Sequence, residues 1–196
     1  MIYLDNAANS REKPECVYKS FEYYVREIAV SPGRGSYKLG IDASRMLYKA
    51  RCTVAKYFGL TEPNVIFTKN STEAINLFLC GFLNKGDHVI ISCYEHNSVL
   101  RPLQNLKDKG FIDYSIINRE DLTLSPDDIY KKYSKKNTRL FATTLASNLT
   151  GRIVFNRDIL RFMKGKKITT FVDSSQGAGK IRLNMSDLFY YHFCFA

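Results

Sequence analysis

Histidine is scarce in this chain, and cysteine is never paired. Of the three histidines, His88 opens one predicted strand and His192 lies inside another. Neither spacing suggests a ligand set, so no metal centre is expected. The five cysteines, Cys16, Cys52, Cys80, Cys93 and Cys194, form no CxxC motif and are odd in number. That pattern fits neither a zinc site nor a secreted disulfide framework. No stretch approaches the ~20 apolar residues of a membrane helix. The start, MIYLDNAANSREK, lacks the basic and apolar regions of a secretory signal. The expected compartment is cytoplasmic, with no membrane partner. There is no internal repeat and no low-complexity tract.

What is present is an ordinary globular composition with 45% hydrophobic residues in 196 positions, enough to build a core. Lys and Arg number 29 against 19 Asp and Glu, a formal net charge of +10. A basic balance invites a nucleic-acid reading. Here the basic residues are interleaved with acids. The densest groups, Lys131-Lys132 with Lys135-Lys136 and Lys164-Lys166-Lys167, fall near predicted helix ends, where cations offset the dipole. A solvated face is the expectation, and nucleic acid is not an expected partner.

Residues 1–13 read as an extended arm, and helical periodicity follows over Glu15 to Ile28, with Val17, Phe21, Tyr24, Val25 and Ile28 on one face. Ser31 to Gly35 (SPGRG) breaks the helix, and Asp42 to Phe58 reads as a second one, closed by Gly59. Strand and helix patterns then alternate. Strands are predicted at Val65–Phe67, His88–Ser92, Ile112–Ile117, Leu140–Thr144, Thr169–Val172 and Tyr190–Phe195. Helices are predicted at Thr72–Leu83, Ser98–Asp108, Pro126–Tyr133 and Arg157–Met163. Such alternation implies an α/β fold, three-layer α/β/α, with a mostly parallel sheet covered on both faces. Ligands of such sheets sit beyond the carboxyl ends of the strands.

The stretch that organises the rest is Val65 to Leu79 (VIFTKNSTEAINLFL). Asn70 and Glu73 have the spacing of a capping box, which starts a helix near Ser71. A helix opening there presents unpaired N–H groups, with the hydroxyls of Ser71 and Thr72 beside them. This is either a phosphate cup or an ordinary capped strand-turn-helix. After the next strand, His96 either stacks on a planar ligand and exchanges protons, or is a histidine beside a helix cap. Asn148 offers an amide or simply forms a turn before Gly151. Asp173 ends an apolar strand and must find a cation or a strong donor when buried. A protonated pyridine nitrogen is one such partner.

These residues carry a resemblance. The chain resembles the N-terminal large-domain portion of class V aminotransferase-fold enzymes of the cysteine desulfurase family. The motifs are Tyr3 to Ala8 (YLDNAA), Ser31 to Gly35, Phe67 to Asn76 (FTKNSTEAIN), Gly86 to Val89 (GDHV) and Glu95 to Pro102 (EHNSVLRP). Ala146 to Gly151 (ASNLTG) and Val172 to Gln176 (VDSSQ) complete them. The resemblance implies a fold type I large domain over 37–196, incomplete and without the C-terminal small domain, after an N-terminal arm and helix over 1–36. It implies pyridoxal 5'-phosphate as cofactor, L-cysteine or a related amino acid as substrate, a sulfur acceptor protein and a homodimer in the full-length form. Ser71 and Thr72 would hold the cofactor phosphate. His96 would stack on the ring and assist proton transfer. Asn148 would contact the ring hydroxyl, Asp173 the ring nitrogen, and Gln176 would lie beside the hydroxyl. Asn6, Ala7, Ala8 and Arg34, the last in the Pro32–Gly35 loop, would line the substrate side or the dimer contact.

The departure from the family lies at the end of the chain. Relatives continue from the last predicted strand into Gly-His-Lys, whose lysine binds the cofactor covalently, and here the chain stops at Ala196. The family's catalytic cysteine is also absent, and Lys180, in a predicted turn, does not replace the lysine. The chain alone is therefore expected not to desulfurate cysteine. The alternatives are another class V activity (selenocysteine lyase, aminotransferase or epimerase), or a non-catalytic binding module with a basic surface.

Overall fold

Five strands form one parallel sheet in the computed structural model, which describes residues 2–154, 156–181 and 192–194. They are β1 (His88–Ser92), β2 (Asp113–Ile117), β3 (Thr138–Thr144), β4 (Thr169–Asp173) and β5 (His192–Cys194), in the order β2-β1-β3-β4-β5. Each predicted strand from His88 onward is found. The ends of the last one, at Tyr190, Tyr191 and Phe195, lie outside the described residues. The chain has two compact units, Met1–Phe67 and Thr68–Ala196. The sheet belongs entirely to the second.

Strand periodicity explains the layers. Successive side chains point to opposite faces, so Val89 and Ile91 of β1 enter one core while Ile90 enters the other. On the first face they meet α3 (Ser71–Phe82) and α4 (Asn97–Asp108) through Ile75, Leu79, Val99 and Leu103. On the second they meet α5 (Pro126–Tyr133) and α6 (Arg157–Gly165) through Ile129, Ile159, Leu160 and Met163. Burying each of these side chains contributes about 1.5–3 kcal/mol before entropic costs. The result is the expected α/β/α sandwich. Both faces being covered is why the strands read as apolar runs rather than alternating ones.

At the amino end of the sheet, His88 is fully buried and doubly bonded. Its Nδ1 lies 2.8 Å from Thr138 Oγ1 and its Nε2 2.9 Å from Ser115 Oγ. The ring thus ties β1 to both neighbours. Of the lysine groups near helix ends, Lys131, Lys132 and Lys135 are paired with acids: Lys132 lies 2.7 Å from Asp121, Lys131 bonds Asp127 and Lys135 bonds Asp113.

The first unit contains α1 (Glu15–Tyr23), extended by a π-helical turn at Tyr24–Ile28, and α2 (Lys38–Tyr57). Of the apolar face predicted for the first helix, Ile28 is buried whereas Val17, Phe21 and Val25 are exposed. α2 begins four residues before the predicted Asp42, because Tyr37 has extended backbone and Lys38 to Ile41 are free to continue the helix. Val65–Phe67 is not a strand. Val65 has extended dihedrals, but no described strand pairs with it, and Phe67 instead lies under the Arg51 guanidinium at 5.8 Å. A ladder needs a partner, and local β propensity alone cannot supply one. Among the described residues, no helix is long and apolar enough to cross a membrane.

Candidate functional site

The order of the strands places the site. The chain runs from β1 outward to β2 and then returns to the other side of β1 as β3. The crossovers therefore diverge between the carboxyl ends of β1 and β3, which is where open parallel sheets bind ligands. Asp173 closes β4 one strand further along.

The start of α3 is a capping box. Asn70 adopts extended dihedrals and its Oδ1 accepts from Glu73 N–H at 2.9 Å. Glu73 reaches back and its Oε2 accepts from Lys69 N–H at 2.7 Å, one residue before the cap. With that end fixed, the N–H groups of Ser71 and Thr72 have no acceptor among the described residues. Ser71 is buried and Thr72 exposed.

Asp173 is 4% exposed. Its Oδ1 accepts from Ser175 N–H at 3.0 Å and from Ser175 Oγ at 2.6 Å. Ser175 Oγ also lies 2.8 Å from Ser71 Oγ. A strand-end acid and a helix N-terminus are thereby joined through one hydroxyl. Sequence reasoning did not single out Ser175. The signal was local: an Asp side chain commonly accepts from the backbone N–H two residues on, which here belongs to Ser175. Gln176 lies half-buried in the following turn, and Lys180 is exposed at the end of that turn.

His96 is the N-cap of α4. Its Nδ1 accepts from Ser98 N–H at 3.1 Å and lies 2.9 Å from Ser98 Oγ. An acceptor at Nδ1 assigns the proton of the neutral ring to Nε2, and the ring is exposed at the sheet's carboxyl edge. The two readings of His96 are therefore compatible, since capping uses one nitrogen of an exposed residue and no hydrogen bond among the described residues engages the other.

Asn148 lies in the loop after β3. That loop folds back on itself: Ser147 N–H donates to Arg152 C=O at 2.9 Å, and Gly151 N–H to Ser147 C=O at 2.9 Å. Gly151 has φ 70, which allows the reversal without a Cβ clash. The Asn148 amide makes no side-chain hydrogen bond among the described residues.

Glu95 is a second residue whose placement the sequence did not disclose. It is buried, and its Oε1 accepts from Ser92 Oγ and, at 2.7 Å, from Thr144 N–H. Its Oε2 is buried with no partner among the described residues. Burial pushes the Glu95 carboxyl up to about 8, and the charge of Asp173 acts in the same direction.

The structure thus brings Ser71 and Asp173 together through Ser175, and sets His96 and Asn148 on loops leaving the same edge of the sheet. Asn6, Ala7, Ala8 and Arg34 belong to the first unit. There Asn6 Oδ1 accepts from Arg11 N–H at 3.4 Å, and Arg34 is exposed. Chemically, the second unit offers donors for an anion at α3 and an acceptor for a cation at Asp173.

A family model described as aminotransferase class-V matches residues 2–192. The chain is 29% identical over 185 residues to a probable cysteine desulfurase of Methanothermobacter thermautotrophicus, covering 94% of this chain and 46% of that protein. It is 31% identical over 193 residues to the cysteine desulfurase IscS of Buchnera aphidicola, covering 96% and 48%. An apo structure of cysteine desulfurase from Thermococcus onnurineus NA1 matches with a TM-score of 0.87 at 29% identity, over 100% of this chain and 49% of that one. The chain spans about half the length of the curated relatives it matches. With nearly its whole length matched, this chain belongs to the class-V aminotransferase family.

Proposed function

We propose that this chain carries the cofactor-binding part of a pyridoxal 5'-phosphate-dependent cysteine desulfurase, which takes sulfur from L-cysteine and leaves L-alanine. The observation that carries this reading is the Ser71–Ser175–Asp173 chain of hydrogen bonds. It sets anion donors and a buried acid at the two ends of one polar track, which suits a phosphorylated cationic ring. The free N–H groups at the start of α3 fit the phosphate. Asp173 is a buried acid at the end of β4, and a protonated ring nitrogen is a fitting partner for a carboxylate so placed. The names of the relatives support the substrate.

When bound, the cofactor supplies an electron sink for negative charge at the α-carbon of the amino acid. Ser71 and Thr72 would hold its phosphate with hydroxyl and N–H donors. Asp173, oriented by Ser175, would keep the proton on the ring nitrogen. Asn148 would donate its amide to the ring hydroxyl, with Gln176 beside it. His96 would cover the ring and move a proton at Nε2 while Nδ1 holds the α4 cap. Asn6, Ala7, Ala8 and Arg34 would face the substrate. The working form would be a cytoplasmic homodimer that passes sulfur to an acceptor protein.

Titration of the purified chain with pyridoxal phosphate, followed by absorbance, tests the site. Saturable binding weakened by Asp173→Ala and Ser71→Ala is expected. Binding that neither change affects would overturn it. Alanine formed from L-cysteine by the intact gene product tests the reaction.

A further inference from the structure

We propose that Glu95 is a positioning residue that locks the exit of β1 to the end of β3 and thereby holds His96 at the carboxyl edge of the sheet. This rests on the cofactor reading above. The lock is geometric. Glu95 directly precedes His96, and a single oxygen, Oε1, accepts from Ser92 at the end of β1 and from Thr144 N–H at the end of β3. Thr144 is in turn the register partner of Asp173 on β4, and Leu145 N–H donates to Asp173 C=O at 2.8 Å. Two strand ends, those of β1 and β3, are joined through one carboxyl group at the point where the crossovers diverge, and β4 follows through its ladder with β3.

The chemistry of the group decides how it holds. Its second oxygen is buried and, among the described residues, unpartnered, a costly position for a full negative charge and a tolerable one for a protonated acid. Asp173 is the charged group that acts on it from β4, whereas Ser92 from β1 and Thr144 from β3 are uncharged. His96, from the same loop, has Nδ1 turned to Ser98. A neutral Glu95 therefore leaves one carboxylate, not two, at the floor of the site. Ionisation at alkaline pH would set a second anion near Asp173 and strain the lock.

The substitutions Glu95→Gln, Glu95→Asp and Glu95→Ala separate these roles. Gln keeps the length, the acceptor and the neutrality. Asp keeps the acid but withdraws it from Thr144, and Ala removes everything. The first readout is the nitrogen-15 spectrum of the His96 ring in cofactor-free protein. A fixed Nε2–H tautomer is expected in wild type and Glu95→Gln, and tautomer averaging in Glu95→Asp and Glu95→Ala. The second is pyridoxal phosphate affinity against pH. Between pH 7 and 9 the wild type is expected to lose roughly tenfold more affinity than Glu95→Gln, about one pKa unit of coupling.

A His96 tautomer unchanged in Glu95→Asp and Glu95→Ala overturns the proposal. So does a Glu95→Gln chain that loses affinity at pH 7 as Glu95→Ala does, because that would mean the ionised form is required. Should Glu95→Ala fail to fold, Glu95→Asp carries the comparison. If no chain binds the cofactor, the cofactor reading fails, and the ring spectrum still decides whether Glu95 positions His96.

Discussion

Ser71 and Ser175, 104 positions apart, meet through their hydroxyls at 2.8 Å. One opens α3 and the other follows β4, and Ser175 also donates to Asp173. The contact couples the anion end of the proposed site to its cation end.

Removing that hydroxyl should therefore be felt at both ends. Ser175→Ala is expected to weaken pyridoxal phosphate binding by about 1–2 kcal/mol, the cost of lost hydrogen bonds around a charged group. Thermal stability should change little, since the position is only half-buried. Cofactor titration beside a thermal melt checks it. Equal binding in mutant and wild type would remove Ser175 from the site.

His88 predicts an acid sensitivity at the opposite edge of the sheet. Burial lowers its pKa from 6.5 to about 4, with the Lys135 charge adding to the effect. The unfolded chain binds the proton first, so stability is full above pH 6.5 and falls as pH drops through about 4. The expected loss is about 2–3 kcal/mol. His88→Gln should flatten the fall, and urea melts between pH 4 and 7 read it.

Glu95 predicts a slope on the other side. The folded protein keeps its proton up to about 8, whereas an ordinary glutamate carboxyl releases it near 4.5. Stability contributed by this difference is present at low pH and declines as pH rises through that window. In melts from pH 5 to 9, wild type should lose stability relative to Glu95→Gln.

Gly177 is expected to tolerate no side chain. A Cβ there would lie 2.0 Å from Leu145 Cδ2 and 2.6 Å from its Cγ, and Leu145 is fully buried. Gly177→Ala should destabilise by about 1–3 kcal/mol through overpacking. Adding Leu145→Ala should recover part of the Gly177→Ala loss, because it removes the clashing atoms. A double-mutant cycle of melts measures that coupling.

The cap of α3 is local and should behave so. Asn70→Ala is expected to cost about 1 kcal/mol, since Glu73 N–H loses its acceptor. Denaturant melts show the loss, and cofactor affinity should fall with it if the helix end holds the phosphate.

Short-range chemistry made much of this protein legible. The α3 start at Ser71, the α5 bounds at Pro126 and Tyr133, and the five strands from His88 onward follow from caps, periodicity and turns that act within a few residues. The places of Ser71, His96 and Asp173 at element ends, and of Asn148 in the loop after β3, follow from the same local signals. Tertiary structure decided the rest. Val65–Phe67 has strand composition but no described strand to pair with, and pairing is not a local property. Ser175 became a link only when β4 was laid against the start of α3. Glu95 became a buried neutral acid only when β3 closed beside β1, because desolvation depends on what packs around a group rather than on its neighbours in the chain.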